Sequence, residues 1–185
     1  MILPDKGFVI HVIRERNEER GSGNTKRFRT IGRCRCLLDG KPLQSDLLSG
    51  ATVEPRGPGN NGTTGVNRGL RIEAGTYPLG THGFPGSRYN TFDYRKYEKP
   101  RPGIYVHDTG KRTAILIHKG IGFKGSVGCI NLTGSIAGPD DDIGSNTIFG
   151  RLDAFIEAMK NRLPVFPKEG GKHIMDAWLA IDGEP

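Results

Sequence analysis

Apolar and polar positions alternate, or bunch into short apolar runs, over most of the chain before residue 135, and this pattern predicts strands. Residues 8–13 (FVIHVI) form one such run. It gives way to the charged stretch RERNEERGSGN, which reads as a hairpin-like loop. Residues 30–38 (TIGRCRCLL) alternate and stop at Asp39-Gly40, a strong turn signal. Residues 51–54 predict a short strand closed by Pro55, and RGPGNNGTTGVNRG after it is a loop by its Gly and Asn content. Further strands are expected at 70–72, 76–79, 104–106, 113–117 and 129–132, with 113–117 apolar enough to be central. Between 82 and 103, HGFPGSRYNTFDYRKYEKPRPG has neither period and reads as a surface excursion, a length of loop often tied to function.

The period changes after the acidic run at 139–142. Ile148, Leu152, Phe155, Ile156 and Met159 define one apolar helix face, with Ser145 or Asn146 as a cap and Pro164 beyond the end. A second short helix is expected over residues 174–179. The triple Asp lacks the Gly and terminal Glu of an EF-hand loop, so it reads as a solvated acidic turn. The 185 residues suit one domain, 1–185, with a β core over about 7–135 and a helical C-terminal segment over about 145–182. The 28 glycines favour turns and short strands over a helical bundle.

A net charge of +7 favours anionic partners such as nucleic acid, anionic lipid or a cell-wall polymer bearing carboxylates and phosphates. The basic residues are scattered from Arg14 to Lys172 without a block or a nucleic-acid signature, so no nucleic-acid partner is expected. No stretch is apolar enough to predict a membrane span. The start MILPDKGFVIHVIRER lacks the parts of a secretory signal, which predicts synthesis in the cytoplasm without one. Cys34 and Cys36 share a strand face, too constrained for a disulfide and too few for zinc, and read as packing residues. His11, His82, His107 and His173 show no ligand spacing, so neither metal nor cofactor is expected; His82, on the long loop, is the one expected to approach a cleft.

Chemistry concentrates at His118, the end of AILIH, and Cys129, eleven positions later after a loop with four glycines. A free thiol has a pKa near ~8.5 and is mostly protonated at neutral pH. An adjacent imidazole can take its proton and then stabilise the thiolate. Gly128 permits a tight turn, so the amides of Gly128 and Cys129 are candidates for an oxyanion hole, where one lost donor typically costs about 10²–10³ in rate. Ser126 is expected to orient the loop or meet substrate, and the Lys119 carbonyl or, more weakly, Asp108 to hold the imidazole. Spacing alone does not separate this from a buried Cys beside an ordinary strand-end His.

The string IHKGIGFKGSVGCINL is similar to the signature of the L,D-transpeptidase (YkuD-like) catalytic domain. Ser126, Gly128, Cys129, Ile130 and Asn131 match position by position, and His118 matches the upstream base. IEAGTYP, residues 72–78, resembles the family's P-x-G-T-Y/F segment, and the whole order resembles a short branch seen in phage and secretion-system contexts. The resemblance spans roughly residues 8–135. It implies a mainly β, YkuD-like sandwich or barrel with one or two C-terminal α-helices, acting on peptidoglycan stem peptides. Cys129 would attack the carbonyl between meso-diaminopimelate and D-Ala to give a thioester, resolved by water, another stem or a D-amino acid. Two positions depart from the family: Val127 replaces a His, and Asn131 stands where many members have a carboxylate-binding Arg. Arg112, Lys119 or Arg88 would then supply the cation, with Asn131, Tyr77 and His82 as further substrate contacts. With no secretory signal expected, the resemblance suggests an antibacterial effector acting at the periplasm or cell wall, with a delivery or immunity protein as partner. The alternative is a wall-binding or structural module of a phage or secretion apparatus that has lost turnover.

Overall fold

The computed structural model describes residues 2–62, 70–95, 98–144 and 148–185, with the side chains of 148–150 excepted. The chain is mainly β, 41% strand against 11% helical, and its strands close into an eight-stranded barrel with one C-terminal helix. In chain order the strands are β1 (Phe8–Arg20), β2 (Arg27–Leu38), β3 (Lys41–Pro42), β4 (Ser49–Pro55), β5 (Gly75–Thr81), β6 (Tyr89–Asn90), β7 (Arg101–Val106), β8 (Leu116–His118), β9 (Ile130–Thr133) and β10 (His173–Asp182), with helix α1 (Ile148–Arg162) between β9 and β10. Around the barrel the order is β1-β10-β5-β7-β8-β9-β4-β2, and β2 pairs back onto β1; β3 and β6 are short additions to β2 and β7. Two barrel pairings are parallel, β1 with β10 and β8 with β9.

Alternation explains the core. Phe8, Ile10 and Val12 of β1, Cys34 and Cys36 of β2, Tyr77 and Leu79 of β5, Ile104 and Val106 of β7, Ile117 of β8, and Ile130 and Leu132 of β9 converge in one buried cluster. Leu152, Phe155, Ile156 and Met159 of α1 join it, so the expected helix face packs as its spacing predicts; its proposed caps, Ser145 and Asn146, lie outside the described residues. Cys34 and Cys36 are free and buried. Burial pushes both thiols up, Cys34 to about 12, which suits packing rather than redox chemistry.

The strand expected at 113–117 is shorter and shifted, β8 at Leu116–His118, and three larger expectations also change. The charged stretch after Ile13 is not a loop: β1 runs on to Arg20, paired with β2 across a bulge between Arg14 and Arg16. Its charges are satisfied internally. Arg14, on the face of Val12, meets Glu54 through two hydrogen bonds of 2.8 and 2.9 Å, with both side chains at most 1% exposed. Residues 70–72 form no strand, only an isolated bridge from Leu70 to Arg56. Finally, the expected second helix at 174–179 is β10. A register shift between His173 and Trp178, with Asp176 at φ 56°, breaks the two-residue period, so Ile174 and Ala177 are both buried three positions apart.

Polar side chains also bind the chain outside the barrel. Arg29, fully buried, donates to Phe123 O (2.9 Å), Gly138 O (2.9 Å) and Asp141 O (2.7 Å) and pairs with Glu18. Arg20 pairs with Asp142 at 2.7 Å, and the Arg20 and Arg29 guanidinium groups lie 4.5 and 4.2 Å from the Phe123 ring centre. The acidic run is thereby a tie between loop and barrel as well as a turn. Arg14 also pairs with Glu184 at 2.7 Å, so Glu54→Leu weakens the buried cation's partners without stranding it and is expected to cost about 1.5–3 kcal/mol by urea denaturation, with Arg14→Leu/Glu54→Leu recovering part of the loss. A single-variant cost below about 1 kcal/mol would contradict the assignment of Arg14–Glu54 as a buried tie.

Candidate active site

The parallel register of β8 and β9 sets the geometry. Ile117 pairs with Ile130 and His118 with Asn131, and both isoleucines point into the core. His118 and Asn131 therefore face outward, and the same alternation directs Cys129, just before β9, to that side. Residues 119–128 make the crossover.

His118 is 6% exposed and its Nδ1–H donates to Lys119 O at 2.6 Å, which leaves Nε2 as the nitrogen able to accept a proton. Burial pushes its pKa down to about 4, against a smaller upward effect of the Lys119 carbonyl, so the imidazole is neutral at pH 7. Of the two orienting groups expected, the Lys119 carbonyl does the work; Asp108 acts electrostatically on His107 instead. Asn131 is fully buried, with Nδ2 donating to His118 O at 2.9 Å, so it holds the strand end at His118. Its side chain occupies space left by Gly120 and Gly125; at Gly125, φ +72°, a Cβ would lie 2.5 Å from Asn131 Oδ1.

Cys129 is partly exposed, and Ser126 Oγ donates to its carbonyl at 2.7 Å, which closes the turn. A Cβ on Gly128 would fall 2.5 Å from Arg112 Nη2, so glycine there lets the guanidinium approach the turn before Cys129. Arg112 is fixed by Asn60 O at 3.2 Å and Leu70 O at 3.0 Å. Burial raises the thiol pKa, while a hydrogen bond from the Leu116 backbone and the Arg112 charge oppose it. Cys129 and His118 share a face but are not hydrogen-bonded to each other: the thiol donates to Ala114 O at 3.6 Å. The site rests as a neutral thiol and a neutral imidazole.

A residue that no period or motif signalled completes the cluster. The Tyr89 ring stacks on His118, centroids 4.4 Å apart and planes at 30°. Its phenol lies close enough to Cys129 to feel the charge of a thiolate, and is pushed up by burial and by that neighbour. Around it are cations: Arg88 and Arg101 act on Tyr89, and Arg101 acts on Lys119, whose ammonium is lowered by burial and by that charge. His82 Nε2 lies 2.8 Å from Ser87 Oγ, which donates to Tyr89 O at 2.8 Å, so His82 steadies the loop carrying Tyr89. Burial lowers the His82 pKa. Tyr77 lies elsewhere, buried in the core with its hydroxyl donating to Glu73 O at 2.8 Å and accepting from Asn61. Val127, at 63% exposed, points to solvent.

No protein-family model, curated protein or solved structure matches this chain. Among the described residues, no group of three or more His, Cys, Asp or Glu side chains could hold a metal, and no helix is long and apolar enough to cross a membrane.

The depressed His118 pKa has a measurable sign. With the folded value below the unfolded one, its contribution to stability is full above about 6.5 and is lost as pH falls toward about 4. Imidazole NMR should show His118 as the neutral Nδ1–H tautomer at pH 6, titrating near 4, and His118→Gln should flatten the loss of stability between pH 6.5 and 4. A His118 midpoint above 6 would contradict the buried, neutral base.

Proposed function

We propose that this protein is a cysteine acyl-transfer enzyme, an L,D-carboxypeptidase or L,D-transpeptidase acting on peptidoglycan stem peptides. The observation that carries the reading is a His118 whose Nδ1–H is tied to Lys119 O, so that Nε2 alone can receive a proton, on the strand paired with the one that Cys129 immediately precedes. The similarity of IHKGIGFKGSVGCINL to the L,D-transpeptidase signature supplies the reaction class. Arg112, Arg101, Lys119 and Arg88 near Cys129 and Tyr89 suit a donor that carries carboxylates, as a stem peptide ending in D-Ala does.

In the proposed reaction the thiol turns from Ala114 O toward Nε2 of His118, which takes its proton as Sγ attacks the carbonyl of the L,D bond. The oxyanion is met by the amides of Gly128 and Cys129. Collapse of the intermediate breaks the C–N bond, and His118 returns the proton to the leaving amine of D-Ala. Water or an acceptor amine then resolves the thioester, giving hydrolysis, cross-linking or exchange. Arg112 holds the donor carboxylate beside the turn.

A second reading has its own observation. The raised thiol, bonded to Ala114 O rather than to His118, also suits a wall-binding module without turnover. Mass spectrometry of muropeptides separates the two. Under the first reading the wild type removes or exchanges terminal D-Ala and Cys129→Ala does not. Unchanged muropeptides with the folded wild type, together with sedimentation on sacculi that Cys129→Ala retains, would favour the binding module.

A further inference from the structure

Tyr89 sits in a place built for it. Gly103 of β7 lies opposite His118 of β8, and a Cβ there would come within 2.8 Å of the Tyr89 Cβ. The sheet thus leaves one position without a side chain, and the Tyr89 ring fills the space against the imidazole. A two-residue strand is weak by itself, but β6 is held on all sides. Tyr89 pairs in register with Arg101, its N–H donates to Ser87 Oγ at 3.2 Å, and Ser87 Oγ donates to its carbonyl. The Thr91 hydroxyl donates to Gly103 O at 2.6 Å.

The phenol is the informative part. Phenylalanine would fill the space against His118 equally well, and a half-buried tyrosine hydroxyl ordinarily finds a partner. Those of Tyr77 and Tyr94 do, with Glu73 O and Glu157, whereas that of Tyr105 has no partner among the described residues. Among the described residues the Tyr89 hydroxyl has no hydrogen-bond partner, and the group nearby that can gain negative charge is Cys129.

We propose that Tyr89 is a catalytic residue of the Cys129 centre: its hydroxyl donates a hydrogen bond to the sulfur as the thiol gives up its proton, and its ring face steadies the imidazolium that forms on His118. This rests on Cys129 as nucleophile and His118 as base, and not on the identity of the substrate. The two halves answer the two difficulties of the resting site. Burial disfavours both the thiolate and the imidazolium, and Tyr89 offers a donor to the first and a π face to the second. Because its pKa is raised, the phenol keeps its proton in the working range and remains a donor. The charged groups acting on the trio are Arg112 on Cys129 and Arg88 and Arg101 on Tyr89, while His118 meets the backbone carbonyl of Lys119.

The test is the pH dependence of Cys129 alkylation by iodoacetamide, read on the Cys129 peptide by mass spectrometry in wild type, Tyr89→Phe and Tyr89→Leu. Tyr89→Phe keeps the ring, so its thermal midpoint should match wild type. Its alkylation inflection should rise by about one pH unit, with alkylation at pH 7 roughly fivefold slower. Tyr89→Leu should show the same rise and also move the His118 NMR titration downward. On a stem tetrapeptide Tyr89→Phe should lose about 10–100-fold in kcat with little change in KM. A shifted inflection without wild-type turnover on the tetrapeptide would sink the peptidoglycan reading and leave this one standing. An unshifted inflection in Tyr89→Phe, whatever the turnover, would overturn the role of Tyr89.

Discussion

The parallel pairing of β8 with β9 is the constraint on which the site depends. Parallel neighbours cannot be joined by a tight hairpin, so the chain must leave the sheet after His118 and return before Ile130. That detour is the glycine-rich crossover, and its return delivers Cys129 to the outward face already occupied by His118. The crossover is not left loose. Phe123 is buried between the Arg20 and Arg29 guanidinium groups, and Arg29 also binds the Phe123 carbonyl. A buried cation on β2 thus fixes a loop whose far end carries the thiol. The closed barrel gives the loop a rigid base.

Electrostatics decide how such a centre rests. Burial lowers the His118 pKa and raises that of Cys129, so the two do not exchange a proton at rest. A preformed thiolate–imidazolium pair would be reactive at all times; a neutral pair becomes reactive only when something stabilises the charges that form. Arg112 lies beside the turn at Gly128, Lys119 O fixes the tautomer, and Tyr89 covers the imidazole. The cations around Cys129 and Tyr89, Arg112, Arg88 and Arg101, gather part of the scattered positive charge of the sequence in one place.

Much of the barrel was legible because its inward positions alternate: Ile104 and Val106, Ile130 and Leu132, and the helix face from Leu152 to Met159 all behave as their spacing predicts. Hydropathy was blind where polar groups are buried as pairs. Arg14 to Arg20 read as loop because nothing in one segment says that Glu54, Asp142 and the carbonyls of residues 136–141 lie opposite. The strand β10 resembled a helix because the irregularity at Asp176 shifts its period by one. At the site, Cys129 and His118 were legible from a local string, and the Lys119 carbonyl from its adjacency. Tyr89 was not, because its place against the imidazole is made by Gly103 and His118, which belong to different strands. Asn131 was visible as a motif position, but only its burial shows that it holds His118 from behind.

The proposed attack of Cys129 on an acyl donor, with His118 as its base, would leave a covalent trace. Acid-quenched mass spectrometry after mixing the protein with a stem tetrapeptide measures this directly. The account predicts a transient increase equal to the donor less D-Ala, mapped to the Cys129 peptide and lost in His118→Ala. No adduct at any time, or an adduct at Cys34 or Cys36 instead, would contradict it.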